Sequence, residues 1–199
     1  EDRARRSGEA GGLRAQVVRD HYNAIGGQSP IRVLTERQAR KLETALGAEF
    51  DIHCWVAMRY WRPLTTEAAA AVQSAGLDHL ILLPLYPQYS FATTVSSLKE
   101  WQRAYRPAAG SPPARMIDEF HTHPQYIQAV ADRIATTLTH FDNPGQAHLV
   151  FSAHGLPMSL IERGDPYQRH VQETVRAVLA CGAWSNAHTL CYQSRVGRQ

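Results

Sequence analysis

Apolar residues along this chain follow two patterns in alternation, stretches of helical spacing and short unbroken runs. Between Leu13 and Asn23, Val17, Val18 and Tyr22 mark a loosely apolar helical face, which Gly26-Gly27 ends and a Ser29-Pro30 turn follows. Thr35 to Leu46 predicts an amphipathic helix, with Ala39, Leu42 and Leu46 at helical spacing and Gly47 just past its end. The first part of 50–60, rich in β-branched and aromatic residues, predicts a strand; Pro63 and Thr65-Thr66 predict the start of a helix over Glu67–Ala75, closed by Gly76. The run Leu80-Ile81-Leu82-Leu83 lacks alternation and so predicts a parallel strand covered on both faces. Pro84 ends it, and Leu85 to Ser90 is expected to be an irregular loop.

The second half repeats the scheme. A helix is expected from Thr93 or Thr94 to about Tyr105, a short strand over Arg115–Ile117, and a helix over Pro124–His140 with Ile127, Val130, Ala131, Ile134 and Leu138 on one face. Leu149 to Phe151 begins a strand expected to be buried, which delivers His154 to its C-terminal tip before Gly155 and Pro157 stop the extended backbone. Asp165 can cap the next helix, Pro166 to Ala180, and Ala187–Tyr192 predicts a last strand. Helices and strands alternate without a hairpin signal, which argues for an α/β fold: parallel sheets, doubly wound, with helices on both faces. The expected organisation is a flexible lead-in over 1–12 and two similar βα halves, 13–110 and 111–199, joined near Pro107 to Pro113.

Composition narrows the function classes. With 199 residues, 44% hydrophobic and 20% charged, the chain reads as an ordinary soluble globular protein. A formal charge of +3 with scattered arginines argues against nucleic acid as a partner. The 3 cysteines, Cys54, Cys181 and Cys191, form no CxxC pair, so neither a disulfide framework nor a zinc ribbon is expected, and a reducing compartment is the simpler reading. His188 and Cys191 lie close together, but no second pair completes a metal site. No apolar run approaches the roughly 18 residues of a membrane span, and no signal-peptide core follows the start. GxGxxG, P-loop and GxSxG patterns are absent, and Ser152 lies inside the predicted strand without the elbow a serine nucleophile needs.

Two strand-tip loops hold the candidate chemistry. Ligands of open α/β sheets bind outside the carboxyl ends of strands, and an imidazole there titrates in the range proton transfer requires. His154 sits in such a position, although it is one of 10 histidines and most histidines in proteins are structural. Tyr86, Pro87, Gln88, Tyr89 and Ser90 form the other loop; the plainer reading is that the proline shapes the turn and the tyrosines pack on a neighbour.

Taken together, Leu83 to Ser90 with Thr93-Thr94 and Ser96-Ser97-Leu98, and Phe151 to Pro157 with Gly164-Asp165-Pro166-Tyr167, resemble the ferrochelatase family. Tyr22 with Ile25 to Pro30, Met58 to Trp61 with Pro63, and Cys191 to Gly197 extend the resemblance in order and spacing from about Val18 to Gly197. It implies the terminal step of haem synthesis, insertion of ferrous iron into protoporphyrin IX or a close relative. His154 matches the family's histidine and is expected to be the catalytic proton acceptor or the metal ligand. Tyr22, Ser29, Tyr86, Tyr89, Ser90 and Thr94 are the expected substrate-binding residues, with Tyr86, Pro87 and Tyr89 along the ring faces and Ser29, Ser90 and Thr94 toward propionates or the cleft wall. Arg59 is a further propionate partner to consider, against its plainer reading as a solvated arginine.

Iron is then a substrate; no cofactor and no iron–sulfur cluster is expected. Porphyrin and ferrous iron are the expected partners, and the location is cytoplasmic, with peripheral contact to the inner membrane left open. The family's first strand and glycine-containing loop would precede residue 1, and a glutamate-bearing loop opposite the histidine would follow Gln199. The chain is therefore expected to be truncated at both ends, with its second half incomplete. A non-catalytic porphyrin- or metal-binding module, or a chelatase for another tetrapyrrole or metal, remains the alternative.

Overall fold

A computed structural model describes residue 16, residues 19–108 and residues 110–194. The expected lead-in over 1–12 lies outside the described residues. By its internal contacts the chain divides into two units, one ending at Val72 and the next beginning at Gln73.

In the first unit, residues 19–24 are helical and turn off at Gly26 and Gly27, whose φ angles of +100° and +85° favour residues without a Cβ. Helix α1, Ile31–Leu46, starts four residues before the expected Thr35. The reason is local: Ser29 Oγ accepts the Ile31 N–H at 3.3 Å and Pro30 supplies the first helical carbonyl, to Leu34 N–H at 3.0 Å. The strand expected in the first part of 50–60 does not form. A strand needs a ladder partner, and among the described residues only a parallel bridge between Met58 and Leu64 is made here. The Arg62–Pro63 peptide is cis. Helix α2, Thr65–Ser74, buries Ala68, Ala69 and Val72; its Glu67 carboxylate accepts the Leu64 N–H at 2.8 Å, closing the entry turn.

The second unit carries the parallel α/β architecture. Strand β1, Leu80–Leu82, leads through a π-helical turn, Phe91–Val95, into helix α3, Ser96–Ala104, and then into strand β2, Ala114–Met116. Strands β1 and β2 pair in parallel with Leu80 opposite Ala114. Helix α4, Pro124–Leu138, precedes strand β3, Leu149–His154; a short helix α5, Met158–Glu162, and helix α6, Tyr167–Gly182, lead to strand β4, His188–Gln193. Strands β3 and β4 are parallel, with His154 opposite Gln193. Each ladder needs a helical crossover because parallel strands cannot be joined by a tight turn. The sequence-predicted elements of this unit all appear, with α5 as an addition.

Burial differs from the expectation. Ile81 is 61% exposed and Val150 63%, so neither strand is covered on both faces. Along β3, Leu149, Phe151 and Ala153 are half-buried while Val150, Ser152 and His154 are exposed, the period-two pattern of a single covered face. An unbroken apolar run cannot distinguish these cases, because Ile81 and Val150 are apolar whichever way they point.

The core of the unit lies between α4 and α6, where Ile127, Ala131 and Leu138 and the facing Val171 and Val178 are buried. Val178 has no exposed surface. Val178→Ala removes two methyl groups from closed packing and is expected to cost about 2 kcal/mol in urea unfolding. A loss below roughly 0.5 kcal/mol would mean that the α4–α6 seam is not packed as described. No helix among the described residues is long and apolar enough to cross a membrane.

Candidate functional site

His154 ends β3, and the next residue holds the strand tip closed: Gly155 N–H donates to Gln193 O at 2.7 Å. Its own N–H donates to Tyr167 Oη at 3.2 Å. The backbone is therefore fixed on both sides of an exposed imidazole, and no hydrogen bond to the ring occurs among the described residues. A rigid backbone with an uncommitted ring is the arrangement an incoming proton or metal ion can use. Burial raises the Tyr167 phenol above its ordinary pKa, an effect partly offset by the hydrogen bond from His154. Burial also raises Tyr192, the neighbour of Gln193 on β4, so both phenols stay neutral at physiological pH.

The loop after β1 is tied into the same unit at several points. Phe120 N–H donates to Pro87 O at 3.0 Å, and the Gln88 amide donates to Thr174 Oγ1 at 3.1 Å. Thr174 in turn lies 3.0 and 2.9 Å from the carbonyl oxygens of His121 and His170, between which its one hydroxyl proton is shared. The strongest tie is Asp165. Its Oδ2 accepts Ser90 Oγ–H at 2.9 Å and Phe91 N–H at 2.7 Å, while its Oδ1 accepts Tyr167 N–H at 3.0 Å. One buried carboxylate thus clamps the β1 loop to the start of α6, and Tyr167 carries the link on to His154.

The expected site residues are distributed as follows. Ser90 is fully buried; besides Asp165, it accepts the Ala92 N–H at 3.1 Å and so caps the π-helical turn. Thr94 is also fully buried, and its hydroxyl has no hydrogen-bond partner. Tyr89 meets Phe91 edge-on at 6.3 Å and is half-buried, whereas Tyr86 is exposed. Ser90, Thr94, Tyr86, Tyr89 and His154 therefore share the second unit. Tyr22 and Ser29 belong to the first, where Tyr22 O accepts Gly27 N–H at 2.7 Å and Ser29 Oγ accepts Ile31 N–H at the start of α1. Arg59, in the same unit, lies over the Tyr60 ring at 4.8 Å. Two surface concavities, of about 320 and 400 Å³, are lined by residues such as Ile134, Phe141 and Val150, and Leu138, Pro144 and Trp184; neither includes His154.

Two features escape the sequence reading. Asp165 is legible as a helix cap, but its reach to Ser90 crosses 75 positions. The second is a polar cluster between the 118–123 loop and α6, in which the His121 and His170 rings stack with centroids 3.8 Å apart and planes 6° apart. Glu173 Oε2 is 2.8 Å from His121 Nε2, and Glu119 Oε2 is 3.0 Å from His170 Nδ1. The sequence signal that exists is weak: His170 and Glu173 are three apart on one helix, and Glu119 and His121 alternate in one loop.

The cluster makes stability pH-dependent. Burial first, and the adjacent His121 second, lower the His170 pKa, with Arg169 acting in the same direction and Glu119 and Glu173 opposing. A histidine whose folded pKa is depressed binds its proton more readily when unfolded, so its stabilisation is complete above the unfolded value near 6.5 and declines as pH falls below it. In metal-free buffer, urea midpoints of the chain are expected to fall from pH 7 to pH 5. The drop is expected to be smaller in His170→Gln, and equal slopes in the two proteins would contradict the assignment.

A family model described as ferrochelatase matches residues 12–199. A ferrochelatase of Geotalea uraniireducens (strain Rf4) is 48% identical over 184 residues, which cover 92% of this chain and 57% of that relative. Ferrochelatases of Citrifermentans bemidjiense and Gloeobacter violaceus are 46% and 44% identical, each over 93% of this chain and 57% and 58% of their own lengths. The chain therefore spans somewhat under two thirds of the length of the curated relatives it matches.

Proposed function

This chain belongs to the ferrochelatase family, and from that premise we propose that its protein inserts ferrous iron into protoporphyrin IX, or a close porphyrin, in haem biosynthesis. The observation that carries the reading is His154: an exposed, uncommitted imidazole held at the C-terminal tip of a parallel strand by hydrogen bonds on either side of it.

Insertion of a divalent metal releases two pyrrole protons and strips water from the ion. A neutral imidazole can accept the first proton, pass it to solvent because it is exposed, and accept the second. The same ring nitrogen can instead ligate the incoming ion, as imidazoles do for borderline divalent metals. Tyr86 and Tyr89, on a loop that Asp165 clamps to the same framework, supply flat apolar surface for the macrocycle, and Ser90 and Thr94 complete the binding set that this unit offers. Ser90 and Thr94 are buried in this conformation, so their part is to shape the cleft wall beneath the ring. Iron enters as substrate, and no resident cofactor or iron–sulfur cluster belongs to the reading. A cytoplasmic location, peripheral to the membrane that holds an apolar porphyrin, completes it.

The test is zinc or ferrous insertion into protoporphyrin by the purified protein, followed by porphyrin fluorescence. Turnover supports the assignment. Porphyrin binding without turnover would instead support the second reading, a binding module built on the same framework.

A further inference from the structure

We infer that Glu119, His121 and His170 form a second divalent-metal site, of the zinc class and separate from His154, built between the 118–123 loop and helix α6. The inference does not depend on the porphyrin reaction. Glu119, His121 and His170 each bring a ligand atom within 4.8 Å of the others. Glu119 Oε2 lies 3.0 Å from His170 Nδ1 and 3.7 Å from His121 Nδ1. Ligands held about 2.1 Å from a tetrahedral ion stand roughly 3.4 Å apart, so these spacings bracket the edge of a coordination sphere.

Two further observations point to a ligand. Both His121 and His170 are more than nine-tenths buried, at 7% and 4% exposure, yet neither Nδ1 makes a hydrogen bond. Glu119 is close to both atoms but out of line for a hydrogen bond, leaving two buried polar atoms unsatisfied at a cost that burial normally forbids. An ion between them removes that cost. The other observation is Glu173, whose Oε2 sits 2.8 Å from His121 Nε2. A carboxylate on the far nitrogen fixes a histidine as the tautomer with its near lone pair free, which is the standard support for a metal-ligating imidazole.

The stacked rings have parallel planes, so their in-plane lone pairs do not converge as they stand, and coordination requires the rings to swing apart by tens of degrees until both lone pairs meet at one point. Glu119 is the exposed member and marks the route by which an ion enters. Imidazole and carboxylate ligands suit Zn²⁺, Co²⁺ and Ni²⁺ over Mg²⁺ or Ca²⁺. The ion would join the 118–123 loop to α6. Through Phe120 to Pro87 and Thr174 to Gln88, it would also brace the loop that carries Tyr86 and Tyr89.

The experiment uses the metal-free chain with His154→Ala, which removes the exposed imidazole proposed to meet the substrate metal. Zn²⁺ affinity is measured by competition with a chromophoric chelator, and coordination by the visible spectrum of bound Co²⁺. One equivalent of Zn²⁺ is expected to bind and to raise Tm. In the same background, His170→Gln, Glu119→Gln and Glu173→Gln are each expected to weaken Zn²⁺ at least about tenfold. Absence of tight Zn²⁺ binding in the His154→Ala chain overturns the inference, as does unchanged affinity in Glu119→Gln. If His170→Gln fails to fold, Glu119→Gln decides alone, since its side chain is on the surface and its loss does not open the core.

Discussion

His154→Ala is expected to lower metal insertion into porphyrin at least about a hundredfold, the range that removal of a positioned general base or metal ligand produces. Porphyrin affinity is expected to change by no more than roughly threefold, because the imidazole is not part of the surface that would hold the ring faces. The fold should survive: His154 is exposed, and both hydrogen bonds that fix the strand tip are made by backbone groups, which alanine retains. The measurement is insertion rate and porphyrin Kd on one preparation, both by fluorescence. An insertion rate within a few-fold of the parent chain would remove His154 from the mechanism. Free imidazole then separates its two roles. Restoration of rate without a change in metal affinity identifies a proton acceptor, whereas a weakened metal Kd in His154→Ala identifies a ligand.

The second large effect is on stability. Asp165→Ala is expected to cost about 4 kcal/mol, which is a large share of the 5–15 kcal/mol that holds a typical domain together. Ser90 Oγ–H, Phe91 N–H and Tyr167 N–H all donate to this carboxylate, and each would lose a charged acceptor inside the protein. Ser90 is fully buried and Asp165 is 5% exposed, so water cannot easily replace the lost partner. Ser90→Ala alone is expected to cost about 1 kcal/mol, since it removes one of those donors together with the cap on Ala92 N–H. Combined with Asp165→Ala it should add only the part due to the Ala92 cap, because the bond to the carboxylate is already gone; such partial non-additivity in urea unfolding is the signature of the clamp. Fully additive losses, or a cost below about 1 kcal/mol for Asp165→Ala, would show that the carboxylate does not join the two loops.

The alternation of helices and strands in residues 80–193 was legible from the chain because each element there is set by its own residues. Apolar runs bounded by Pro84 or Gly155, a helix opened by Pro124, and faces such as Ile127, Ala131 and Leu138 are short-range patterns, and the observed elements follow them within a few residues. His154 was legible for the same reason, as a histidine at the end of such a run, and the residues around it also carried the family resemblance. Where the outcome depended on a distant partner, local pattern was insufficient. The expected strand within 50–60 needed a neighbouring strand to supply hydrogen bonds, and the described residues offer only one bridge. The covering of β1 and β3 depended on what packs over Ile81 and Val150, which their apolar character does not specify.

By itself, then, the sequence determined the order and type of most elements, the strand-tip position of His154 and the family to which these loops belong. Tertiary structure alone decided that Asp165 is a clamp, that Ser90 and Thr94 are enclosed, and that Glu119, His121 and His170 converge. The physical reason is range. Backbone conformation and amphipathic spacing are decided over a few neighbouring residues, whereas the energy of a buried polar group depends on which partner the fold brings to it. For Asp165 and Ser90, and for His121 and Glu173, that partner lies 75 and 52 positions away.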